Sequence, residues 1–379
     1  MSLNFEPNAL DTPCYVVDEA LLIKNLEILK SVAKRANCKI LLAQKAFSMY
    51  SLYPLIGQYL HGTAASGLYE ARLGHEEMGG ETHVHSPVYR PSHFDDILRI
   101  CDVIVFNSFN EWEKYRKRAL GAQGKRGNMR FGIRINPELS TQPNPLWDPC
   151  REGSRLGVTL SNFRADLLEG ISGIHFHTLC EQNSDALAAT LEAVEEKFGQ
   201  YLHNMQWLNF GGGHHITRDD YDIDTLIDCI RHFREKYDLE VYLEPGEAIA
   251  LNAGFLVASV VDISGHNVFL DASAACHIPE ILSFGYRVDA VNAGRAGEKE
   301  HTYTLAAPTC LSGDIFGEYS FDKPLKVDDR VVFTDSATYT MVKNNTFNGV
   351  GLPSIVIAKK NGEIQVVKEF GYDDFKSRL

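Results

Sequence analysis

Short apolar stretches rich in valine, isoleucine and leucine recur along the first two thirds of the chain, and most are followed by a longer segment with helical spacing. In Glu19–Ala36, Ser184–Phe198 and Asp219–Tyr237 the apolar residues fall mostly at i, i+3 and i+4 positions, which predicts helices with one buried face. Alternation of apolar strands with such helices is typical of a parallel sheet. The predicted strands are Lys39–Gln44, Gly62–Ser66, Thr82–Ser86, Val103–Asn107, Arg130–Asn136, Ile171–His177, Gln206–Gly211 and Val241–Gly246.

Eight strand–helix units predict a closed (β/α)8 barrel of the α/β class. An open doubly wound sheet is the alternative, but the Gly-x-Gly-x-x-Gly turn of that fold is absent from the first strand–helix junction. After Gly246 the pattern changes to strands without long helices between them, which predicts an antiparallel β-domain. We therefore predict a barrel over residues 16–247 and a β-domain formed by residues 1–15 and 248–379.

A hairpin is predicted near the C-terminus, because Asn361-Gly362 separates two apolar stretches. Asn-Gly favours the two positive φ angles of a type I′ turn. The strands predicted in the β-domain are Phe255–Ile263, Asn267–Asp271, Thr302–Ala306, Arg330–Phe333, Ser354–Lys359 and Ile364–Lys368.

Composition and charge narrow the class of protein. The 379 residues are 44% apolar and 23% charged, as in ordinary folded proteins. The net charge of −13 argues against nucleic acid, whose phosphates need clustered cations. The first residues lack a secretory signal and no apolar stretch has membrane-spanning length, so we expect a cytoplasmic protein that binds no membrane. The eight cysteines include no Cys-x-x-Cys pair, which argues against structural zinc.

The active site of such a barrel lies at the C-terminal ends of its strands. Lys45 follows the first strand, where burial would favour its neutral, nucleophilic amine. Three glycines, residues 211–213, follow the seventh strand, and their N–H groups could bind a phosphate or merely form a sharp turn. Glu244 could pair with a protonated pyridine nitrogen, or could be a surface carboxylate. His177 could lie flat against an aromatic ring, or could be a structural histidine.

A metal-dependent barrel hydrolase is the main alternative from another class of enzyme. His83-x-His85 and His175-x-His177 are pairs at strand ends with a spacing that can ligate zinc. In such hydrolases the histidine pair ends the first strand, whereas here Lys45 occupies that place. A metal site also gives no use for the three glycines or for Glu-Pro-Gly, so we predict no metal.

Taken together, the motifs resemble the alanine-racemase-fold decarboxylases, a family of carboxy-lyases that depend on pyridoxal 5'-phosphate. The resemblance runs from about Thr12 to Gly349, and it implies a barrel, a C-terminal β-domain and a homodimer with shared active sites. Within the family, residues 175–181 and 271–277 resemble the carboxynorspermidine branch. The motifs are Lys45, His175-Phe176-His177-Thr178, Gly211-Gly212-Gly213, Glu244-Pro245-Gly246, Pro308-Thr309-Cys310, Ser312-Gly313-Asp314, Thr338-Tyr339-Thr340 and Phe347-Asn348-Gly349.

The resemblance also implies a role for each matching residue. Lys45 would hold the cofactor covalently, His177 would stack on its ring and Glu244 would pair with the ring nitrogen. Cys310 and Asp314 would reach the site from the other subunit, with Cys310 donating a proton to the substrate carbon after carbon dioxide leaves. The implied cofactor site consists of Lys45, Arg134, His177, Gly211, Gly212, Gly213, Glu244, Gly246 and Tyr339.

The departures from the family pattern concern the substrate. Ornithine and diaminopimelate decarboxylases have Asp or Glu after the cysteine, whereas this chain has Leu311. Glu247 follows Glu-Pro-Gly where those relatives have Arg, which disfavours a second carboxylate on the substrate. With Asp271 and Asp314 as further substrate contacts, the resemblance implies a carboxylated triamine, carboxynorspermidine or carboxyspermidine. The alternatives are a diaminopimelate or other basic amino-acid decarboxylase, an alanine racemase, and a member without turnover.

Overall fold

The computed structural model describes residues 3–379. The chain divides into two compact units, of which one comprises Asn25–Ile249 and the other comprises the residues up to Lys24 and Ala250–Leu379. The first boundary therefore lies later than residue 15, where the sequence predicted it. The first strand, β1 (Cys14–Asp18), explains the difference, because it pairs antiparallel with residues 254–257 and parallel with residues 354–358 of the second unit.

The unit Asn25–Ile249 is a closed barrel of eight parallel strands, as predicted. The strands are β2 (Lys39–Ala43), β3 (Gly62–Ala65), β4 (Glu81–His85), β5 (Val103–Phe106), β6 (Arg130–Arg134), β7 (Gly173–His175), β8 (Trp207–Asn209) and β9 (Glu240–Leu243). The helices in this part of the chain are α1 (Glu19–Ala36), α2 (Tyr53–Ile56), α3 (Leu68–Glu77), α4 (Phe94–Ile100), α5 (Phe109–Arg126), α6 (Ser184–Leu202), α7 (Ile223–Tyr237) and α8 (Glu247–Ala250).

A layer of charged side chains lies at the N-terminal end of the barrel. Lys39, Glu81, Arg130 and Glu240 are each the first residue of a strand. Lys39 forms ion pairs with Glu81 at 2.5 Å and with Glu240 at 2.6 Å, and Arg130 contacts the same two carboxylates at 3.0 and 2.8 Å. The Tyr242 hydroxyl accepts a hydrogen bond from Arg130 at 2.6 Å. These paired charges occupy the end of the barrel opposite to the strand ends where chemistry is expected.

The second unit contains a mixed nine-stranded sheet, whereas the sequence predicted an antiparallel one. Two pairings are parallel, that of β1 with residues 354–358 and that of residues 267–269 with residues 304–306. Besides β1, the strands are β10 (Gly254–Ser264), β11 (Asn267–Leu270), β12 (Gly294–Arg295), β13 (His301–Ala306), β14 (Ile315–Phe321), β15 (Arg330–Phe333), β16 (Ser354–Ala358) and β17 (Ile364–Lys368). The helices are α9 (Ala274–His277), α10 (Glu280–Phe284), α11 (Thr340–Lys343) and α12 (Tyr372–Lys376).

The predicted hairpin between β16 and β17 is present, but the prediction of a type I′ turn is wrong. Gly362 has a φ of 85°, whereas Asn361 does not have a positive φ. The Gly362 N–H donates to the Lys359 carbonyl at 2.8 Å, and the Asn361 side chain accepts from the Glu363 N–H at 3.1 Å. The loop is longer than the two residues that a type I′ turn connects, so only one left-handed residue is needed.

In residues 3–379, no helix is long and apolar enough to cross a membrane.

Candidate active site

The C-terminal ends of the barrel strands surround an open cleft. Lys45, Arg134, His177 and Glu244 all line it, so four residues predicted from separate motifs lie at one site. Arg134 is the last residue of β6, and the other three lie one or two residues beyond the ends of β2, β7 and β9. Parallel strands in a closed barrel deliver their ends to one face, which brings these residues together although they are far apart in sequence.

The Lys45 amine lies 3.2 Å from Nε2 of His177. The other ring nitrogen, Nδ1, accepts a hydrogen bond from the Gly212 N–H at 2.7 Å. Burial, together with the charges of Lys45 and Arg134, holds the pKa of His177 well below its usual range, so the ring is neutral. With Nδ1 as acceptor, the ring proton must lie on Nε2 and point at Lys45.

The Lys45 amine is suited to accept a hydrogen bond from this N–H group of His177. Burial in the barrel lowers its pKa, and the positive charge of Arg134 lowers it further. A neutral amine has a lone pair that can accept a hydrogen bond from His177 or attack an aldehyde. Burial and Arg134 therefore both favour the nucleophilic form of Lys45.

The Glu244 carboxylate is buried and hydrogen-bonded. Asn209 donates to one carboxylate oxygen at 2.7 Å, and Nε2 of His175 lies 3.3 Å from the other. Burial alone would raise the pKa of Glu244, but the interactions with His175 and Asn209 lower it to about 2. Glu244 therefore stays ionised at neutral pH and can pair with a cationic ring nitrogen.

The turn of three glycines passes close to the backbone of neighbouring strand ends. A Cβ atom at Gly212 would lie 2.3 Å from the Glu244 carbonyl oxygen, and one at Gly213 would lie 2.0 Å from the Leu179 carbonyl oxygen. Gly211 and Gly213 have φ angles of 71° and 84°, which side chains rarely permit. No other residue type fits this turn, and two of its N–H groups bind within the barrel: that of Gly211 donates to Asn209 and that of Gly212 to His177.

Arg134 is the cation of the cleft. Its guanidinium donates to the His177 carbonyl at 3.0 Å. Burial lowers its pKa to about 10, which leaves it charged at neutral pH. Arg134 therefore both fixes the strand end that carries His177 and supplies positive charge beside Lys45.

Gly246 and Glu247 lie directly after Glu244 and Pro245. A Cβ atom at Gly246 would lie 2.6 Å from the Cβ of Ala46, so glycine is needed for this segment to pass beside the Lys45 turn. The Glu247 carboxylate lies 3.3 Å from Nε2 of His215. Glu247 is thus a partly buried carboxylate with one imidazole partner at the position where the family pattern has Arg.

Asp271, Cys310, Asp314 and Tyr339 lie in the other unit. Asp314 is buried and accepts hydrogen bonds from Ser273 Oγ at 2.7 Å and from the Ala275 N–H at 2.8 Å. Asp271 accepts from the Ser259 N–H at 2.8 Å and from Thr12 at 2.5 Å. Substrate contacts by these two residues stay a prediction. Cys310 is exposed, and Tyr339 has a left-handed backbone with a φ of 60°.

The sequence analysis missed the residues that hold Glu244. Asn209 donates to Glu244 and also accepts from the Gly211 N–H at 2.8 Å. His175 was considered as half of a metal-binding pair and as part of a family motif, with no role toward Glu244, and its ring stacks on that of His85 at 5.3 Å. The signal for Asn209 was a polar residue in the otherwise apolar Trp207-Leu208-Asn209, directly before the glycines.

Comparison with known proteins identifies the class of enzyme. Residues 14–337 match the family described as "Pyridoxal-dependent decarboxylase, C-terminal sheet domain". The chain belongs to this family. The decarboxylase is 41% identical to the carboxynorspermidine/carboxyspermidine decarboxylase of Campylobacter jejuni, covering 97% of this chain and 98% of the relative. It is 40% identical to the carboxyaminopropylagmatine decarboxylase of Synechocystis, covering 98% and 96% of the two chains.

The solved structures include a close match to the whole decarboxylase. The crystal structure of carboxynorspermidine decarboxylase from Campylobacter jejuni, complexed with norspermidine, has a TM-score of 0.91 and 39% identity. The match covers 98% of this chain and all of the other. The predicted family branch is thereby confirmed, and the barrel hydrolase is excluded. Within residues 3–379, no group of three or more His, Cys, Asp or Glu side chains could hold a metal ion.

The cleft of the decarboxylase fits pyridoxal phosphate. A Lys45 amine of lowered pKa suits the aldehyde, and the ionised Glu244 suits a protonated pyridine nitrogen. The glycine turn, into which no Cβ fits, brings bare backbone to the strand ends, although the Gly211 and Gly212 N–H groups donate to Asn209 and His177. The aldehyde and the ring nitrogen of the cofactor therefore each have a complementary protein group in this unit.

Proposed function

We propose that this decarboxylase removes the carboxylate of carboxynorspermidine or carboxyspermidine, which releases norspermidine or spermidine. The observation that carries the proposal is the near full-length similarity to a relative with this activity in its name, at 41% identity. A solved relative of TM-score 0.91 is described as a complex with norspermidine, the expected product.

The barrel residues would bind and orient the reacting groups. Lys45 would hold the cofactor through its aldehyde, and burial together with the charge of Arg134 lowers the pKa of its amine. Glu244 would hold the proton on the pyridine nitrogen, fixed in place by Asn209 and His175. When bound, pyridoxal phosphate supplies an electron-accepting ring that stabilises the charge left on the substrate carbon by departing carbon dioxide.

Cys310 would complete the reaction by a proton transfer. Its thiol would give a proton to the substrate carbon that has lost carbon dioxide, and the resulting thiolate would take a proton from solvent. Cys310 is the exposed member of the eight cysteines, which suits a group that must reach a substrate.

We also propose that the enzyme is a homodimer in which Cys310 serves the barrel of the partner subunit. The large apolar side chains of Leu311, Ile315 and Phe347 are 42%, 39% and 46% exposed. Leu311 lies in the loop of Cys310 and Ile315 directly follows it, and the side chain of Asn348, next to Phe347, accepts a hydrogen bond from the Cys310 N–H. Exposed apolar groups of this kind, close to a functional residue, are typical of an interface.

The charge of the candidate substrate contacts favours amines over carboxylates. Glu247 and Asp271 are carboxylates at two predicted substrate positions, and Leu311 stands where relatives that act on shorter substrates carry an acid. A charge-assisted hydrogen bond to a protonated amine contributes roughly 1.5–3 kcal/mol. Two such contacts would favour a triamine over ornithine by about a hundred-fold or more in kcat/KM.

A substrate comparison tests the proposal directly. We expect kcat/KM to be highest for carboxynorspermidine or carboxyspermidine, and at least about a hundred-fold lower for ornithine and meso-diaminopimelate. Equal or faster turnover of ornithine or meso-diaminopimelate would show that the substrate assignment is wrong. Carboxyaminopropylagmatine belongs in the same assay because a relative of 40% identity acts on it. If it gives the highest kcat/KM, that second candidate replaces the first.

A further inference from the structure

Three loops of the second unit are joined by hydrogen bonds, and we call them the thiol platform: residues 271–277, 307–314 and 344–351. The first two loops meet at Asp314, whose carboxylate is buried. One oxygen accepts from the Ala275 N–H at 2.8 Å, and the other accepts from Ser273 at 2.7 Å and Thr309 at 2.5 Å. Asp314 thus ties the loop of Cys310 to the start of α9.

The third loop is tied to the first by two side chains. Nδ2 of Asn345 donates to the Ala275 carbonyl at 2.9 Å. The buried His277 ring accepts from the Ser273 N–H at 3.1 Å, and its Nε2 lies 3.1 Å from the Gly351 carbonyl. The three loops therefore form one connected unit, although they contain little regular secondary structure.

Asn348 closes the connection at the reactive residue. Its side-chain oxygen accepts a hydrogen bond from the Cys310 N–H at 2.8 Å. The Asn348 backbone is left-handed, with a φ of 58°. Asparagine tolerates this conformation, and it also offers an acceptor there that glycine would lack. The backbone that carries an exposed thiol is thus held by a side chain 38 residues further along the chain.

We propose that Asn348 is a positioning residue that holds the Cys310 thiol in the orientation needed for proton transfer. Asp314 stabilises the same platform, because its carboxylate accepts hydrogen bonds from groups in its own unit. The inference rests on the proposed role of Cys310 in the decarboxylation. A simpler account would be that Asn348 serves only its left-handed turn, and substitutions can separate the two.

Three substitutions at position 348 separate the hydrogen bond from the turn. Asn348→Gly keeps the left-handed backbone but removes the acceptor, Asn348→Asp keeps both, and Asn348→Ala removes both. If the bond matters, the Gly and Ala variants lose about ten-fold or more in kcat with little change in KM. The Asp variant keeps kcat within about three-fold of wild type at its own pH optimum. That optimum moves to higher pH, because the added carboxylate disfavours a thiolate nearby.

Alkylation of Cys310 by iodoacetamide supplies a second readout that needs no substrate. The rate on the Cys310 peptide is followed by mass spectrometry in the cofactor-loaded enzyme across a range of pH. We expect the Gly variant to react several-fold faster than wild type, because its loop is freer. The Asp variant should instead show a profile moved to higher pH.

The outcomes distinguish this inference from the proposed function. A Gly variant equal to wild type in both kcat and alkylation would overturn the inference, and so would full activity of Cys310→Ser. Failure of the wild-type enzyme on both carboxy-triamines would overturn the proposed substrate, yet the alkylation profiles would still report on Asn348. Unchanged thermal midpoints of the Gly and Asp variants would support a local effect.

Discussion

The barrel cleft and the thiol platform place reactive groups by different means. In the cleft, Lys45, His177 and Glu244 lie just beyond strand ends, and their positions follow from the closed parallel sheet. In the platform, Cys310 lies in a loop between β13 and β14, and its position depends on single hydrogen bonds such as that to Asn348.

The two regions also differ in whether their reactive groups are buried. The cleft keeps its reacting groups buried, which lowers the pKa of Lys45 and makes each charge depend on close neighbours. The platform keeps its ionisable side chains below the surface and leaves the thiol exposed. We therefore expect substitutions in the cleft to remove chemical steps outright, and those in the platform to weaken one step or the stability of the loops.

The largest effect is expected for Lys45→Ala. The purified wild-type protein should be yellow from its covalently held cofactor, and the variant should lose that absorbance and at least roughly a thousand-fold in kcat. Lys45→Arg is the matched control, because it keeps a long basic side chain but cannot form the bond. If either variant retained the covalent absorbance, the cofactor would be attached to a residue other than Lys45.

Glu244→Gln should have the next largest effect. The amide keeps the size of the side chain but cannot hold a proton on the pyridine nitrogen, so kcat should fall by roughly a hundred- to a thousand-fold while Lys45 still binds the cofactor. Glu247→Gln is the control and should change KM with little effect on the cofactor spectrum. If both variants had similar spectra and rates, the proposed pairing of Glu244 with the ring nitrogen would be wrong.

The barrel could be predicted because its pattern is regular. Eight apolar strands with intervening helices fix which residues stand at strand ends, and the cleft followed from that. The partners of those residues were less visible, since Asn209 and His175 contact Glu244 from other strands, 35 and 69 residues away along the chain. A single polar residue in an apolar strand gives no indication of which neighbour it contacts.

The β-domain was predicted less well, and the reasons are physical. Strand β12 has two residues, and the apolar residues of β14 are interrupted by Gly317, Glu318 and Ser320, so neither has a long apolar signal. The parallel pairing of β1 with β16 joins distant parts of the chain, which alternation alone cannot predict. The bond between Asn348 and Cys310 likewise depends on a loop conformation rather than on a residue pattern.

His277 offers a test of the platform by pH. Burial lowers its pKa from the ordinary 6.5 to about 4, so protonation is favoured in the unfolded chain. Its stabilising contribution is present above pH 6.5 and is lost as the pH falls toward 4. Between pH 7 and 5 this amounts to about 2 kcal/mol. Protonation of Nδ1 would also remove the acceptor for the Ser273 N–H.

Denaturant unfolding at the two pH values measures this contribution. Wild type should lose about 2 kcal/mol more than His277→Asn between pH 7 and 5. The exposed His266→Asn is the control and should follow wild type. An equal loss of stability in wild type and His277→Asn would show that His277 does not link the platform to pH.

The smallest expected signal joins the two regions across a proposed dimer. Lys45→Ala lacks a barrel residue and Cys310→Ala lacks a platform residue, so each variant alone should be nearly inactive. If Cys310 acts on the partner's barrel, a mixed dimer contains one site with both defects and one intact site. Random mixing makes about half of the dimers mixed, which predicts roughly a quarter of wild-type activity by counting sites. If subunit exchange is demonstrated by mass and activity still does not return, each platform must serve its own barrel, and the two regions would be joined within one chain.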